Sequence, residues 1–274
     1  VNRSLSKRFD GLVDVYVDHR PLIEVFHNQL LEALTGSKKL GVLVHSIRSR
    51  LKDPDHLKDK LHRKWKKKLE AGEPFDISKE NLLVKVNDLV GIRILHLYTR
   101  QIHDIDVVLR EILDESQYKL VGKPFARTWD DESRAFFDEC KIKTEKSPSL
   151  YTSVHYVVAS ASRTKLTAEI QVRTLMEEVW GEVDHQLNYP HETHSLACRE
   201  QLKVLARVTS SATRLVDSIF STQADDVARV EAKTGVRNFI ETRPNDVGEP
   251  VRRRSTRVEK DASPGIGRVP TQSR

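Results

Sequence analysis

The chain has 274 residues, 38% of them apolar and 31% charged, with 46 Lys and Arg against 40 Asp and Glu for a net charge of +6. That length is ample for a sealed core in one large or two small domains, and the composition excludes collagen-like and disulfide-stapled classes. Charge is concentrated: residues 48–68 carry ten Lys and Arg and three Asp, residues 250–274 carry seven Lys and Arg and two acids, and the remainder is left at −6. A basic block beside an acidic body suggests a local polyphosphate site rather than a surface coated for DNA. No apolar run approaches the roughly 18 residues of a membrane span. Asp10, Asp14 and Asp18 interrupt what would have to be the apolar part of a signal peptide. Cys140 and Cys198 show neither a pairing pattern nor metal-ligand spacing, so they read as inert thiols in a reducing, cytoplasmic setting.

Between residues 17 and 34, Leu22, Val25, Phe26, Leu30 and Leu34 recur at steps of three and four, the period of an amphipathic helix, which Gly36 ends. A short apolar stretch, 40–44, leads into the basic block. There, residues 56–69 have helix-forming composition, with Leu57, Leu61, Trp65 and Leu69 on one face and lysines opposite. Residues 89–98 read as a largely buried strand, and Ile102, Ile105, Val108, Leu109, Ile112 and Leu113 as the stripe of a helix. Residues 118–129 suggest a strand broken at Gly122 and Pro124; 130–149 give no clear pattern. Two strands, 151–159 and 165–173, joined by a polar turn, predict a hairpin. Thr174 and Glu177 form a capping box for a helix that is expected to turn Leu175, Val179, Val183 and Leu187 inward and to close at Pro190. A second long helix would bury Leu202, Leu205, Val208, Ala212, Leu215, Val216 and Ile219, with a weaker one over 224–240. The tail, rich in Arg, Pro and Gly, lacks the apolar residues to offset ordering entropy and is expected to be disordered. This order argues for an α/β (α+β) fold, a mixed sheet covered by helices.

Strict alternation places Glu169, Gln171 and Arg173 on one face of their strand, and Tyr151, Ser153 and His155 on one face of its partner. Two such rows can face one cleft. A merely solvated face would carry Lys, Thr and Glu in no order, whereas these side chains each have a specific bonding or stacking use. Asp88, just before the central strand, could join Glu169 in holding a hard divalent ion, with water and phosphate oxygens completing its shell. Arg50, Lys52 and Lys60 add a guanidinium and two ammoniums suited to polyphosphate. Neither a GxxxxGK[ST] string nor a GxGxxG occurs, so side chains and metal would have to hold the phosphates.

Taken in order, Arg50-Leu51-Lys52 with Lys60, the run from Asp88 through Gly91 to Arg93, Tyr151-Thr152-Ser153-Val154-His155 and Glu169 through Thr174, with Trp180 and Asp184-His185 downstream, resemble the RelA/SpoT synthetase domain. The resemblance covers roughly residues 42–190. It implies a nucleotidyltransferase-like mixed sheet flanked by helices, here with an N-terminal helical segment (1–41), C-terminal helices (191–240) and the basic tail (241–274). The implied reaction moves the β,γ-pyrophosphate of ATP to the 3′-hydroxyl of GDP or GTP, giving (p)ppGpp and AMP with Mg²⁺. By the same resemblance Arg50 and Arg93 would sandwich adenine, Lys52 and Lys60 would hold ATP phosphates, and Asp88 and Glu169 would bind Mg²⁺. Glu169 would also take the 3′-hydroxyl proton. Tyr151 would stack on the acceptor base, with His155, Gln171 and Arg173 nearby. Strict alternation puts Asp88 and Arg93 on opposite strand faces, which a bulge at Gly91, or a position of Asp88 just ahead of the strand, would reconcile.

The family usually has Lys-Pro-Asn-Gly before the stacking tyrosine; here Ser147-Pro148-Ser149-Leu150 stands there, with Lys146 displaced by one. That keeps a second acceptor class open, adenosine nucleotides or a tRNA 3′ end, as in the small toxic members. A reading of another class is a catalytically weakened RNA-binding module that uses the basic block and tail. A scaffold that oligomerises through its C-terminal helices would explain their stripe but not the polar cleft. With 47 residues ahead of Arg48, no hydrolase domain and no product degradation are expected. Asp184-His185, His191 and His194 read as helix-surface or loop residues, and Trp180 as structural.

Overall fold

The computed structural model describes residues 3–147, 150–189 and 192–234. In chain order these form α1 (Arg3–Asp18), α2 (Arg20–Gly36), α3 (Lys38–Leu43), β1 (Ser46–Leu51), α4 (Pro54–Glu70), α5 (Leu82–Lys85), β2 (Val90–His96), α6 (Ile102–Glu115), β3 (Lys119–Leu120), β4 (Phe125–Thr128), α7 (Asp131–Glu139), β5 (Lys143–Lys146), β6 (Ser153–Ala159), β7 (Thr167–Thr174), α8 (Leu175–Asn188) and α9 (Leu196–Thr234). The strands make one mixed sheet in the order β1-β2-β7-β6-β4-β5, with β3 beside the far end of β6. The pairs β2 with β7 and β4 with β5 are parallel and the rest antiparallel. The expected mixed sheet flanked by helices is therefore the observed architecture.

One sheet face is apolar. Ile92, Ile94, Val154, Tyr156, Val158, Ile170 and Val172 are buried there among residues of α1, α2 and α6, and the Tyr156 hydroxyl donates to Asp106 on α6 at 2.8 Å. The other face is polar. Register sets Arg50 beside Gly91, Gly91 beside Glu169, Arg93 beside Gln171, and Gln171 beside His155. The alternation read from the hairpin is thus extended by β1 and β2 into one polar surface.

Several helices bury a side that differs, in part or wholly, from the one predicted. Residues 17–34 belong to two helices that break at His19. The first, unforeseen, buries Phe9, Leu12 and Tyr16. In α2 the inward stripe is Ile23, Phe26, Leu30 and Leu34, while Leu22 and Val25 are exposed. Helix α4 starts at a cap in which Asp53 accepts from the Asp55 and His56 amides, with Pro54 in its first turn; Leu57 and Leu61 are buried, but Leu69 lies exposed at its end.

The unread stretch after Thr128 forms α7 and the edge strand β5. In α8, Val179, Val183 and Leu187 face outward, whereas Glu177, Glu178 and Trp180 are buried. This helix packs toward the polar face, so its inward side carries charge. Only half of the expected capping box forms: Thr174 accepts from Glu177 N–H, and the Glu177 carboxylate accepts instead from Thr152 N–H at 3.1 Å. The last helix is continuous where two were expected. It turns Leu202, Ala206, Thr209, Ser210 and Thr213 inward, leaving Val208, Leu215 and Ile219 exposed, because small residues allow its close approach to α8. Pro148, Ser149, Pro190, His191 and the tail lie outside the described residues.

Candidate active site

Asp88 sits in a single 3₁₀ turn, Asn87–Leu89, just ahead of β2. The alternation of the strand does not apply to it, and no bulge at Gly91 is needed for its carboxylate to reach the face that carries Arg93 and Glu169. Lys52 Nζ donates to its Oδ2 at 3.1 Å, and Lys60 Nζ lies 2.6 Å from its Oδ1. Burial pushes the Asp88 carboxyl upward, but the ammoniums of Lys60 and Lys52 outweigh this and hold its pKa at about 2. Burial pulls the Lys52 ammonium below its usual value against the attraction of Asp88. Two contacts fix the Lys52 backbone: its N–H donates to the Leu89 carbonyl, and its carbonyl accepts from the Tyr16 hydroxyl. The first helix thus braces the basic segment.

Glu169 faces the same cavity, about 600 Å³, as Asp88, Lys60, Arg93, Tyr151, His155, Gln171 and Arg173. Its Oε1 accepts from His155 Nδ1–H at 3.0 Å and its Oε2 from Gln171 Nε2 at 3.1 Å. Burial raises the Glu169 pKa, yet the hydrogen bond and charge of His155 prevail and leave it lowered, with Asp88 opposing and Lys60 assisting. The chain of contacts continues outward. The Tyr151 hydroxyl donates to Gln171 Oε1 at 3.2 Å and accepts from Arg173 Nη1 at 3.1 Å. His155 is stacked on Phe125.

A second cavity of about 260 Å³ adjoins the first. Arg48, Arg50, Gly91, Arg93, Gln171 and Glu182 line it together with Asp88 and Glu169. Of the residues singled out in the sequence, all but Lys52 and Ser153 line one or both cavities; Lys52 lies beneath, as a buried partner of Asp88, and Ser153 is buried with its hydroxyl on the Val172 carbonyl.

Sequence reasoning missed Lys64, one turn beyond Lys60 on α4, and also Lys85, Asn87 and Arg127, all of which line the larger cavity. The four-residue step from Lys60 was the available signal for Lys64, whose pKa is lowered by burial and by Lys60. It also missed Glu178 and Glu182, whose carboxylates hold Arg93 at 3.1 and 2.5 Å. Asp184, His185 and Tyr189, read as helix surface or unremarked, line the larger cavity too. On the acceptor side Ser147 is buried and its Oγ accepts from Tyr151 N–H at 3.2 Å, while Leu150 takes a left-handed φ of 58°.

Two largely buried carboxylates among lysines and arginines, carried on a mixed sheet without a glycine-rich phosphate loop, make a site suited to polyphosphate chemistry. The family described as a region found in RelA/SpoT proteins matches residues 49–194, more than half of the sequence, and the chain belongs to that family. Its class of chemistry is pyrophosphate transfer. Among solved structures, the chain is similar to a GTP pyrophosphokinase family protein from Streptococcus pneumoniae, at 18% identity and a TM-score of 0.54, covering 82% of this chain and 96% of the other. It is also similar to small alarmone synthetase 1 from Bacillus subtilis, solved with its product pppGpp, at 19% identity and a TM-score of 0.51, covering 76% and 95% of the two chains. A second structure of that synthetase aligns at 18% identity with a TM-score of 0.52, covering 80% and 99%. At these identities the likeness is one of fold. No curated protein sequence matches the chain.

Proposed function

We propose that the chain moves the β,γ-pyrophosphate of ATP onto the 3′-hydroxyl of GDP or GTP, releasing AMP and making (p)ppGpp, an alarmone of the stringent response. The observation that carries this reading is that Asp88 and Glu169 face one cavity whose walls bear Lys60, Arg93 and Arg173. Arg50 and Arg93 border the smaller cavity, where an adenine can lie between guanidiniums. Lys60, joined by Lys64, meets the ATP phosphates, and Lys52 holds Asp88 in place from below. Tyr151 stacks on the acceptor base, with His155, Gln171 and Arg173 around it. The 3′-oxygen attacks the β-phosphorus, the bond from that phosphorus to the bridging α-oxygen breaks with AMP as leaving group, and Glu169 takes the hydroxyl proton.

The residues fit Mg²⁺. Two oxygen donors face a common cavity, and among the described residues no cluster of three His, Cys, Asp or Glu offers a metal an all-protein cage. Mg²⁺ takes one or two carboxylates and completes its shell with water and substrate phosphates. Asp88 and Glu169 are the residues that would hold it, and bound there it would neutralise charge on the β- and γ-phosphates. Without such an ion, Lys52 and Lys60 balance the charge of Asp88.

A second acceptor reading has its own support. Ser147, near the place of the family's lysine, is uncharged and so brings no cation to a guanine edge; its Oγ accepts from Tyr151 N–H. Adenosine nucleotides or a tRNA 3′ end are the acceptors on that reading. An RNA-binding module that had lost its chemistry would have no use for two carboxylates facing one cavity. A cytoplasmic location agrees with nucleotide substrates, and no helix among the described residues is long and apolar enough to cross a membrane. The outward Val208, Leu215 and Ile219 of α9 support self-association through the C-terminal helices.

The test is incubation with γ-labelled ATP and separate pools of GDP, GTP, adenosine nucleotides and tRNA, each with and without a chelator. Label on GDP or GTP that disappears with chelator is expected. Label on adenosine nucleotides or tRNA alone selects the second acceptor class, and no transfer to any pool overturns both.

A further inference from the structure

Burying a carboxylate is costly unless cations meet it, and a buried ion pair rarely outperforms an apolar substitute in stability. Glu178, in the first turn of α8, is 6% exposed and meets three guanidiniums. Arg173 Nη2 contacts its Oε2, while Arg93 Nη1 lies 3.1 Å and Arg48 Nη1 3.9 Å from its Oε1. These arginines serve different parts of the cleft. Arg93 lines both cavities and stands beside Arg50 in the smaller one, whereas Arg173, absent from the smaller cavity, lines the larger one and donates to the Tyr151 hydroxyl.

We infer that Glu178 is a positioning residue common to both nucleotide subsites, a single carboxylate that holds the ATP-side Arg93 and the acceptor-side Arg173 in place together. The inference rests on the function proposed above. Arg173 is buried and Arg93 largely so, so their like charges repel more than they would in water, and the anion between them holds both guanidiniums together rather than splayed apart. Glu182 supplies the internal contrast. It is exposed to 44% and its ion pair, at 2.5 Å, is with Arg93 alone among the described residues. A residue that merely stabilised α8 would not need partners in two subsites.

The experiment measures equilibrium binding of a non-hydrolysable ATP analogue and of GDP, each alone, to the full chain and to Glu178→Gln, Glu178→Asp and Glu182→Gln, with thermal midpoints alongside. Loss of one charge-assisted contact in a dry site predicts roughly tenfold weaker binding of both nucleotides to Glu178→Gln. Glu178→Asp, which keeps the charge but retracts it, should recover part of the loss for both. Glu182→Gln should weaken the ATP analogue and leave GDP unchanged. A Glu178→Gln chain that loses affinity for one nucleotide only, or for neither, overturns the inference. So does failure of both Glu178 variants to fold, which would assign the residue to stability alone. A wild-type chain that fails to bind one of the two nucleotides is a distinct result: it removes the functional reading, and the shared anchor with it.

Discussion

Replacing Asp88 by asparagine deletes the negative charge between two ammoniums while preserving side-chain volume. Asp88 is 13% exposed, with Lys60 Nζ 2.6 Å from one oxygen and Lys52 Nζ 3.1 Å from the other. Its pKa of about 2 lies below the ordinary 3.8 because those two charges overcome the effect of burial. A depression of that size corresponds to about 2 kcal/mol of folded-state stability. Since the folded value is the lower one, the contribution is complete above about pH 4 and is lost as pH falls through about 2. Asparagine lacks it at every pH and strands the buried Lys52 ammonium. Urea titrations of the wild-type and Asp88→Asn chains, repeated from pH 7 to pH 2, should show a gap of about 2 kcal/mol at neutrality that closes between roughly pH 4 and 2. The same variant should lose transfer of label from γ-labelled ATP. Equal stability at pH 7, or a gap that ignores pH, would refute the electrostatic account, and undiminished transfer would refute the site.

Three further outcomes follow from the geometry. Tyr151→Ala removes the stacking surface for the acceptor base and should raise the acceptor KM by roughly tenfold or more, leaving that of ATP nearly unchanged; equal loss for both substrates contradicts the stacking role. Gly181→Ala adds a Cβ that would stand 2.7 Å from Arg173 Nη1, so the guanidinium must leave the Tyr151 hydroxyl. Alanine favours the helix by about 1 kcal/mol. Thermal stability should therefore hold or rise while the acceptor KM increases several-fold, and an unchanged KM would show that Arg173 does not depend on this glycine. Tyr16→Phe takes away the hydroxyl that caps the Lys52 carbonyl and should cost about 1 kcal/mol or more, read as a lower urea midpoint, if the bond carries the weight assigned to it.

Much of the fold was legible because its signals are local. The hairpin of β6 and β7, the stripe of α6 and the Thr174 cap of α8 follow from alternation, helical period and turn chemistry. Faces of helices were less legible. The periodicity of Val179, Val183 and Leu187 points one way, yet α8 lies toward a polar sheet face, and Glu177, Glu178 and Trp180 turn inward instead. In α9, Thr209, Ser210 and Thr213 take the buried side that hydrophobicity alone assigns to Val208, Leu215 and Ile219. Helix α1 escaped notice because its few apolar residues are diluted by charge, and only contact with α4 shows the value of Phe9, Leu12 and Tyr16.

By itself, the order of residues determined which chemistry was available: paired acids, a basic helix, an aromatic and polar hairpin row, and the absence of a glycine-rich phosphate loop. Tertiary structure alone decided that these groups meet. The parallel pairing of β2 with β7 brings Gly91 and Arg93 beside Glu169 and Gln171, and the turn at Asp88 swings a carboxylate into the same cavity across 81 positions of sequence. The anchoring of Arg93 and Arg173 by Glu178 belongs to that second category as well. Periodicity records only what a single element does, whereas the partner of a buried charge is set by which elements pack together.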